Sequence, residues 1–310
     1  MTPKLNIHIT LKQLLAYWFE TIESLTSPNE FLVNHARTGI AIALQALHFP
    51  EGSKVGVMAY NCNSVMSAIE KSGHKCTFID VTDEFTIDLI DLQRKRDDID
   101  ALVLTNLYGG RNDIDKIKEI LNNIPLIEDC AHWSENMRNV RTDFQVQSTG
   151  AGKNPSLGDG GILRVGNSVY YQAVKSLYDA LPKYSLKDEL ILFVGIIKNN
   201  ILYNPWVYEI LTQKLKKNRT LPAHPKWKFK RMSKGIQRLL KNAYIHPVFP
   251  MQPILTNNRA NVIAEYKRLH IEAAPHFASA IEWAKDYGYK GDCPNAEEIV
   301  RRILTIRSNI

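Results

Sequence analysis

The sequence predicts an α/β fold: a mostly parallel sheet flanked by helices, followed by a smaller C-terminal α+β domain. Three observations carry that reading. Between Val55 and Asp129 short apolar runs alternate with amphipathic segments, the pattern of βαβ units. Beyond Asn258, helix signals alternate with turns marked by Pro275, Gly288, Gly291 and Pro294. Across all 310 residues, 45% are hydrophobic and 23% charged, which suits a large core plus a smaller one and argues against disorder.

Taken in order, residues 11–25 read as a helix. Residues 34–47 read as another that opens on a small-residue turn, with Ile40, Ala43, Leu44 and Leu47 spaced for a buried face. Strand-like runs follow at 55–60, 75–81, 101–107 and 125–127, the last running into Glu128 and Asp129. Helical segments at 64–72, 87–96 and 114–121 separate them. Residues 147–161 read as a loop in which Lys153 sits among small residues, and Gly158, Gly160 and Gly161 supply conformational freedom. A short strand follows at 162–165. Residues 190–201 are strongly apolar but too short to span a bilayer. In the tail, 260–270, 277–287 and 296–304 read as helices. The domain division is 1–165 for the first part of the large domain, 166–250 for a variable apolar and basic segment that completes it, and 251–310 for the small domain.

Three local features suggest chemistry, and each also has a plain structural explanation. Lys153 lies in a loop roomy enough for a bulky group, or in an ordinary polar turn. Thr38 and Gly39 open a helix whose free N–H groups would hold an anion, or Thr38 simply caps it. In parallel sheets ligands collect beyond the carboxyl ends of the strands. The ends here are Tyr60-Asn61-Cys62, Tyr108-Gly109 and Glu128-Asp129-Cys130-Ala131-His132. Asp129 ends a buried apolar strand, which is costly without a cation or donor, or it simply caps the next turn. A lysine, a buried acid and a helix N-terminus in one α/β domain are what pyridoxal 5'-phosphate (PLP) requires.

The chain also resembles the DegT/StrS family of nucleotide-sugar aminotransferases, PLP enzymes of fold type I. The resemblance rests on Arg37-Thr38-Gly39-Ile40-Ala41, on 73–81, on Leu107-Tyr108-Gly109, on 127–132 and on 148–161. It continues through Arg231-Met232-Ser233, Asn258-Arg259-Ala260 and Cys293-Pro294-Asn295-Ala296-Glu297. It implies that Lys153 anchors the cofactor covalently and then moves a proton, and that Asp129 pairs with the ring nitrogen. His132 would stand near the ring oxygen, and Thr38, Gly39 and Ser148 would meet the phosphate. Four departures accompany it. Cys62 occupies the usual ring-stacking position, so stacking would come from Tyr60 or from elsewhere, or be lost. Arg37 replaces a glycine. Phe229 stands where an asparagine normally reaches the partner subunit's cofactor, and the chain lacks the usual C-terminal extension after Leu304. Tyr108 and Arg231 are the candidate substrate contacts.

Charge is asymmetric. Residues 1–150 hold 14 basic against 20 acidic side chains and 151–310 hold 25 against 12, net −6 and +13. No acid lies between Glu209 and Glu265. Such a block suits a diphosphate or an anionic membrane surface, or is a solvated basic face. No recognition helix or RNA-binding motif supports nucleic acid. The apolar stretch that precedes it packs in a core or dimer contact, or lies in a membrane interface over 190–217. Four scattered cysteines and no leader-like N-terminus point to the cytoplasm and away from a metal site. The resemblance implies a homodimeric aminotransferase acting on a nucleotide-linked keto sugar, with glutamate as donor, in surface-polysaccharide or deoxyamino-sugar biosynthesis. The alternative is a catalytically divergent relative that scaffolds or regulates the same pathway.

Overall fold

A computed structural model describes residues 9–22, 27–132, 140–214, 226–241 and 243–307. The end of the expected first helix, 23–25, lies outside the described residues, as do the basic side chains at 216, 217 and 219 and the last part of 190–217.

In chain order the elements are α1 (Leu11–Phe19), β1 (Glu30–Val33), α2 (Ala36–Ala46), β2 (Lys54–Met58), α3 (Asn63–Lys71), β3 (Lys75–Ile79), α4 (Leu89–Lys95), β4 (Ala101–Thr105), α5 (Ile114–Leu121), β5 (Leu126–Asp129), β6 (Phe144–Ser148) and β7 (Gly161–Val165). Then come α6 (Tyr171–Asp179), α7 (Leu186–Leu202), α8 (Pro205–Lys214), α9 (Lys234–Lys241), β8 (Met251–Leu255), α10 (Arg259–Arg268), β9 (Ala273–Ala274), α11 (Ala280–Asp286), α12 (Pro294–Arg302) and β10 (Ile303–Arg307). The large sheet has the order β1-β7-β6-β5-β4-β2-β3. Strands β6, β5, β4, β2 and β3 are parallel, while β7 runs antiparallel to both β6 and β1. Strand order reverses between β2 and β4, and a crevice opens at such a switch point.

The parallel strands are buried on both faces, which is why they read as continuous apolar runs. Val55, Val57, Leu102, Val103, Leu104 and Ile127 are all fully covered. Helix α2 is apolar almost all round, and Ile40 through Leu44 are buried, because it lies between the sheet and α3 and α6. A β-carbon at Gly39 would stand 3.1 Å from Val146 Cγ1 and 3.3 Å from Leu163 Cβ, so this glycine sets how closely α2 approaches the sheet.

Two strands escape the hydrophobic pattern. β1 is four residues long, and β6 alternates apolar and polar side chains although both its faces are buried. Its polar face is largely paired internally, with Gln145 Oε1 left without a partner. Gln145 donates to Glu128 Oε2 at 3.0 Å, and Arg164 donates to Gln147 Oε1 at 3.3 Å while pairing with Glu30 at 2.6 Å.

The tail differs from expectation in two elements. The last helix stops at Arg302, and Ile303–Arg307 pairs antiparallel with β8 and β9, as β-branched Ile303, Thr305 and Ile306 favour. This three-stranded sheet with α10–α12 forms an α+β layer whose Ala280, Ala284, Ala296 and Ile299 join the apolar core of the large sheet. Helix α11 begins at Ala280 rather than Phe277, because Phe277 adopts a positive φ of 52° and turns its ring toward the crevice described next.

Candidate active site

A cavity of about 290 Å³ opens at the carboxyl ends of β2, β4 and β5. Asn61, Thr105 and Asp129 bring its floor from those three strands, and Ser148 at the end of β6 lines it together with Gly150 and Lys153 of the loop that follows. The start of α2 contributes His35, Ala36 and Arg37, and the start of α3 contributes Cys62 and Ser64. His132 and Phe277 complete the wall.

Asp129 is 3% exposed. Its Oδ1 accepts from Ala131 N–H at 3.0 Å and its Oδ2 from the Thr105 hydroxyl at 3.3 Å. Burial raises its pKa, and the Ala131 N–H, the Lys153 charge and Thr105 pull it back. Lys153 shows the opposite balance, because burial lowers its pKa while the fields of Cys62 and Asp129 raise it. No carboxylate lies within ion-pair distance of its amine among the described residues. The loop that carries Lys153 is pinned at both ends. Thr149 N–H donates to Gly160 O at 3.0 Å and Leu157 N–H to Thr149 O at 2.8 Å, and Asn154 exchanges hydrogen bonds with the His246 backbone at 2.8 and 3.0 Å.

The loop glycines act in two ways. Gly158 and Gly160 have φ of 91° and 105°, as expected of turns. Gly161 does not. It opens β7, where a β-carbon would come within 2.5 Å of Ala36 N and His35 C, so its need is for space.

The free N–H groups of the helix start do not lie at Thr38 and Gly39. Helix α2 starts at Ala36, and both Thr38 N–H and Gly39 N–H are already bonded to His35 O, at 3.0 and 3.3 Å. The Thr38 hydroxyl donates to Asn34 Oδ1 at 2.8 Å. First-turn N–H groups at the cavity therefore belong to Ala36 and Arg37. Arg37 lies over the Trp227 ring at 5.2 Å. Its Nε is buried without a hydrogen-bond partner, and it forms no ion pair among the described residues. Burial depresses its pKa below that of an ordinary guanidinium. A bare cation of this kind favours an anion.

Six of the sequence candidates meet at the cavity: Arg37, Cys62, Asp129, His132, Ser148 and Lys153. Thr38, Gly39, Tyr60, Tyr108 and Arg231 do not line it. Tyr60 is wholly buried, with its hydroxyl 2.7 Å from that of Tyr108 and donating to His276 O at 2.9 Å. That arrangement leaves it no face to stack on a ligand. Tyr108 also bonds His276 Nδ1 at 2.8 Å. Aromatic cover comes instead from Phe277 and from His132, whose ring stacks on Phe249 at 4.7 Å. Arg231 is held on Asp179 O at 2.8 Å and over the Tyr178 ring at 4.8 Å, away from the cavity lining. Cys62 caps α3, with its Sγ 3.0 Å from the Ser64 hydroxyl.

Sequence reasoning missed Ser64, Thr105 and Phe277 at the cavity, and a polar group beside them. His35 Nδ1 lies 2.8 Å from Asp159 Oδ1, and the Tyr184 hydroxyl donates to Asp159 Oδ2 at 2.8 Å. An acid placed among glycines six residues after Lys153 was the available signal. Among the described residues no group of His, Cys, Asp and Glu side chains could hold a metal.

These residues match a ligand that has a carbonyl carbon for an amine, a ring nitrogen for a buried carboxylate and a phosphate for a bare guanidinium. Residues 27–180 match the model of the DegT/DnrJ/EryC1/StrS aminotransferase family. No curated protein sequence matches the chain. Among solved structures, the sugar aminotransferase CalS13 from Micromonospora echinospora is 13% identical over 99% of this chain and 94% of its own, with a TM-score of 0.63. PseC from Helicobacter pylori, an aminotransferase involved in pseudoaminic acid biosynthesis, is 13% identical over 96% and 91%, with a TM-score of 0.62. The E. coli GDP-4-keto-6-deoxy-D-mannose-3-dehydratase, solved with bound hydrated PLP, is 15% identical over 89% and 82%, with a TM-score of 0.58. At these identities the likeness speaks to the fold.

Proposed function

From a chain that belongs to the DegT/DnrJ/EryC1/StrS aminotransferase family, and is therefore a PLP-dependent aminotransferase, we propose that it moves an amino group from glutamate onto a keto sugar linked to a nucleotide. The product would enter surface-polysaccharide or deoxyamino-sugar synthesis, and the enzyme would work as a homodimer in the cytoplasm, divided at 165 and 250 as the sequence suggests. PseC and CalS13 act in sugar chemistry by name, which supports a sugar acceptor. The observation that carries the reading is the convergence of Lys153, Asp129 and Arg37 on one cavity.

When bound, PLP supplies an electron sink for the carbon that gains or loses the amine. Lys153 would anchor it. Asp129, ionised, would accept the ring N–H. The N–H groups of Ala36 and Arg37, the Arg37 guanidinium and the hydroxyls of Ser64 and Ser148 would hold its phosphate. Once free, Lys153 Nζ takes a proton from the substrate carbon and returns one, a role that needs a depressed pKa. His132 and Phe277, which line the cavity, would cover the ring.

The lowered pKa of Lys153 sets the sign of the pH dependence. Amine is the active form, so the rate rises with pH on the acid side and levels once Lys153 is neutral. Protein mixed with PLP should absorb in the visible region, and borohydride should abolish the band. Lys153→Ala should lose it. Protein that stays colourless would overturn the reading, and a panel of nucleotide-linked keto sugars with glutamate would identify the acceptor.

A further inference from the structure

Exposed apolar side chains are concentrated on one layer of the molecule. Leu186, Leu190, Ile191, Val194 and Ile201 of α7 are between 54% and 77% exposed. Apart from Ile191 they recur at intervals of four and seven, one stripe along a helix of 17 residues, roughly 25 Å at 1.5 Å per residue. On α8 Trp206 is 82% and Ile210 63% exposed, and on α1 Leu11, Leu15 and Phe19 form another stripe. α1 lies antiparallel against α7. Ile9 exchanges hydrogen bonds with Asn200 at one end, and the Tyr17 hydroxyl bonds Glu189 at the other. The opposite face of α7, with Phe193 and Ile196, fills the core against Tyr17 and Trp18. This helix is thus apolar on two faces, and in the single chain only one of them is covered by the described residues.

We propose that the uncovered face of α1, α7 and α8 docks on an anionic membrane surface and lies in its plane. Charge decides among occupants. Every acid of α7 and α8 is engaged by the protein: Asp188 by Lys230 at 2.9 Å, Glu189 by Tyr17, Ser233 and Lys234 N–H, and Glu209 facing His270 at 3.3 Å. Lys12, Lys187 and Lys198 are exposed and form no ion pair among the described residues. An apolar stripe flanked by unpaired lysines, with its acids all engaged within the protein although Asp188 and Glu209 stay 37% and 38% exposed, fits acyl chains below and anionic headgroups beside it. A second copy fits less well, since a two-fold axis would set these lysines against themselves. No helix among the described residues is long and apolar enough to cross a membrane. Trp206, at the start of α8, suits the headgroup boundary. This inference stands apart from the identity of the sugar substrate.

The test is co-sedimentation of the full PLP-loaded chain at low salt with two kinds of vesicle: phosphatidylcholine alone, and phosphatidylcholine mixed equally with phosphatidylglycerol. Binding to the mixed vesicles only is expected, with a fall of about tenfold or more for two variants. One is Leu190→Glu with Val194→Glu. The other is Lys187→Glu with Lys198→Glu, whose exposed positions leave folding intact. Both should keep the molecular mass measured by light scattering and the visible cofactor band. Wild-type protein that stays in the supernatant overturns the proposal. So does a halved mass for Leu190→Glu with Val194→Glu, which would assign the face to a second copy.

Discussion

At the scale of single residues, the site sets two cations, Lys153 and Arg37, against two carboxylates, Asp129 and Asp159. Asp159 already has His35 and Tyr184 as partners. Asp129 has two neutral donors and no cation within ion-pair distance, and Arg37 has no anion among the described residues. A ligand bearing both an N–H and a phosphate relieves both deficits. Arg37→Ala is expected to weaken PLP binding by about ten- to a hundredfold, because a hydrogen bond to a charged group is worth ~1.5–3 kcal/mol. Titration of the visible band measures it. Unchanged affinity would assign the phosphate to the helix N–H groups and serines alone.

At the scale of elements, two glycines fix where α2 sits, and α2 carries Arg37. Gly39→Ala presses a methyl against Val146 and Leu163 at 3.1 and 3.3 Å, an overpacking that costs about 1–3 kcal/mol. Gly161→Ala meets rigid backbone at 2.5 Å and must push the helix start away from β7. Urea denaturation should show the larger loss for Gly161→Ala, and that variant alone should also lower PLP affinity, because the anion site moves with Ala36. Equal PLP affinity in the two variants would mean that the helix start is not the phosphate site. The polar ladder on β6 gives a second test at this scale. Glu30→Ala leaves Arg164 nearly buried without its 2.6 Å partner, and the loss of a buried partner costs about 3–5 kcal/mol.

At the scale of the whole molecule, charges join the C-terminal layer to the large sheet. Asp80, beyond the end of β3, accepts from Ala296 N–H at 2.8 Å and Asn295 N–H at 3.0 Å and so caps α12. Lys95 of α4 reaches Asp292 at 2.6 Å and Asp91 at 3.0 Å. Burial raises the Asp91 pKa, but the Asp80 N–H together with Lys95 and Arg94 outweighs it, and the net shift is downward. A depressed carboxyl pKa stabilises the folded state above the unfolded value, about 3.9, and that contribution disappears as pH falls through the folded value. Asp91→Asn should therefore lower the melting temperature at neutral pH and flatten its decline in acid. A parallel offset at every pH would exclude titration of Asp91 as the cause.

Much of this was legible in the chain itself. The apolar runs of β2 to β5 are continuous because both faces of a parallel sheet are covered, and Lys153 among small residues and Asp129 at a strand end are local patterns. These determined the α/β class and two of the groups at the cavity. Other features depend on neighbours distant in sequence, and only the tertiary structure decided them. β6 hid because its glutamines are paid for by Glu128 and Arg164. The helix start shifted to Ala36 because His35 O takes the N–H groups of Thr38 and Gly39. Tyr60 and Arg231 left the site because His276, Tyr108 and Asp179 hold them elsewhere. The second apolar face of α7 has no periodic signature that separates it from the first. Which of the two is covered was settled by α1 and α9 packing against one of them, since burial is a property of the assembled layers and not of any one helix.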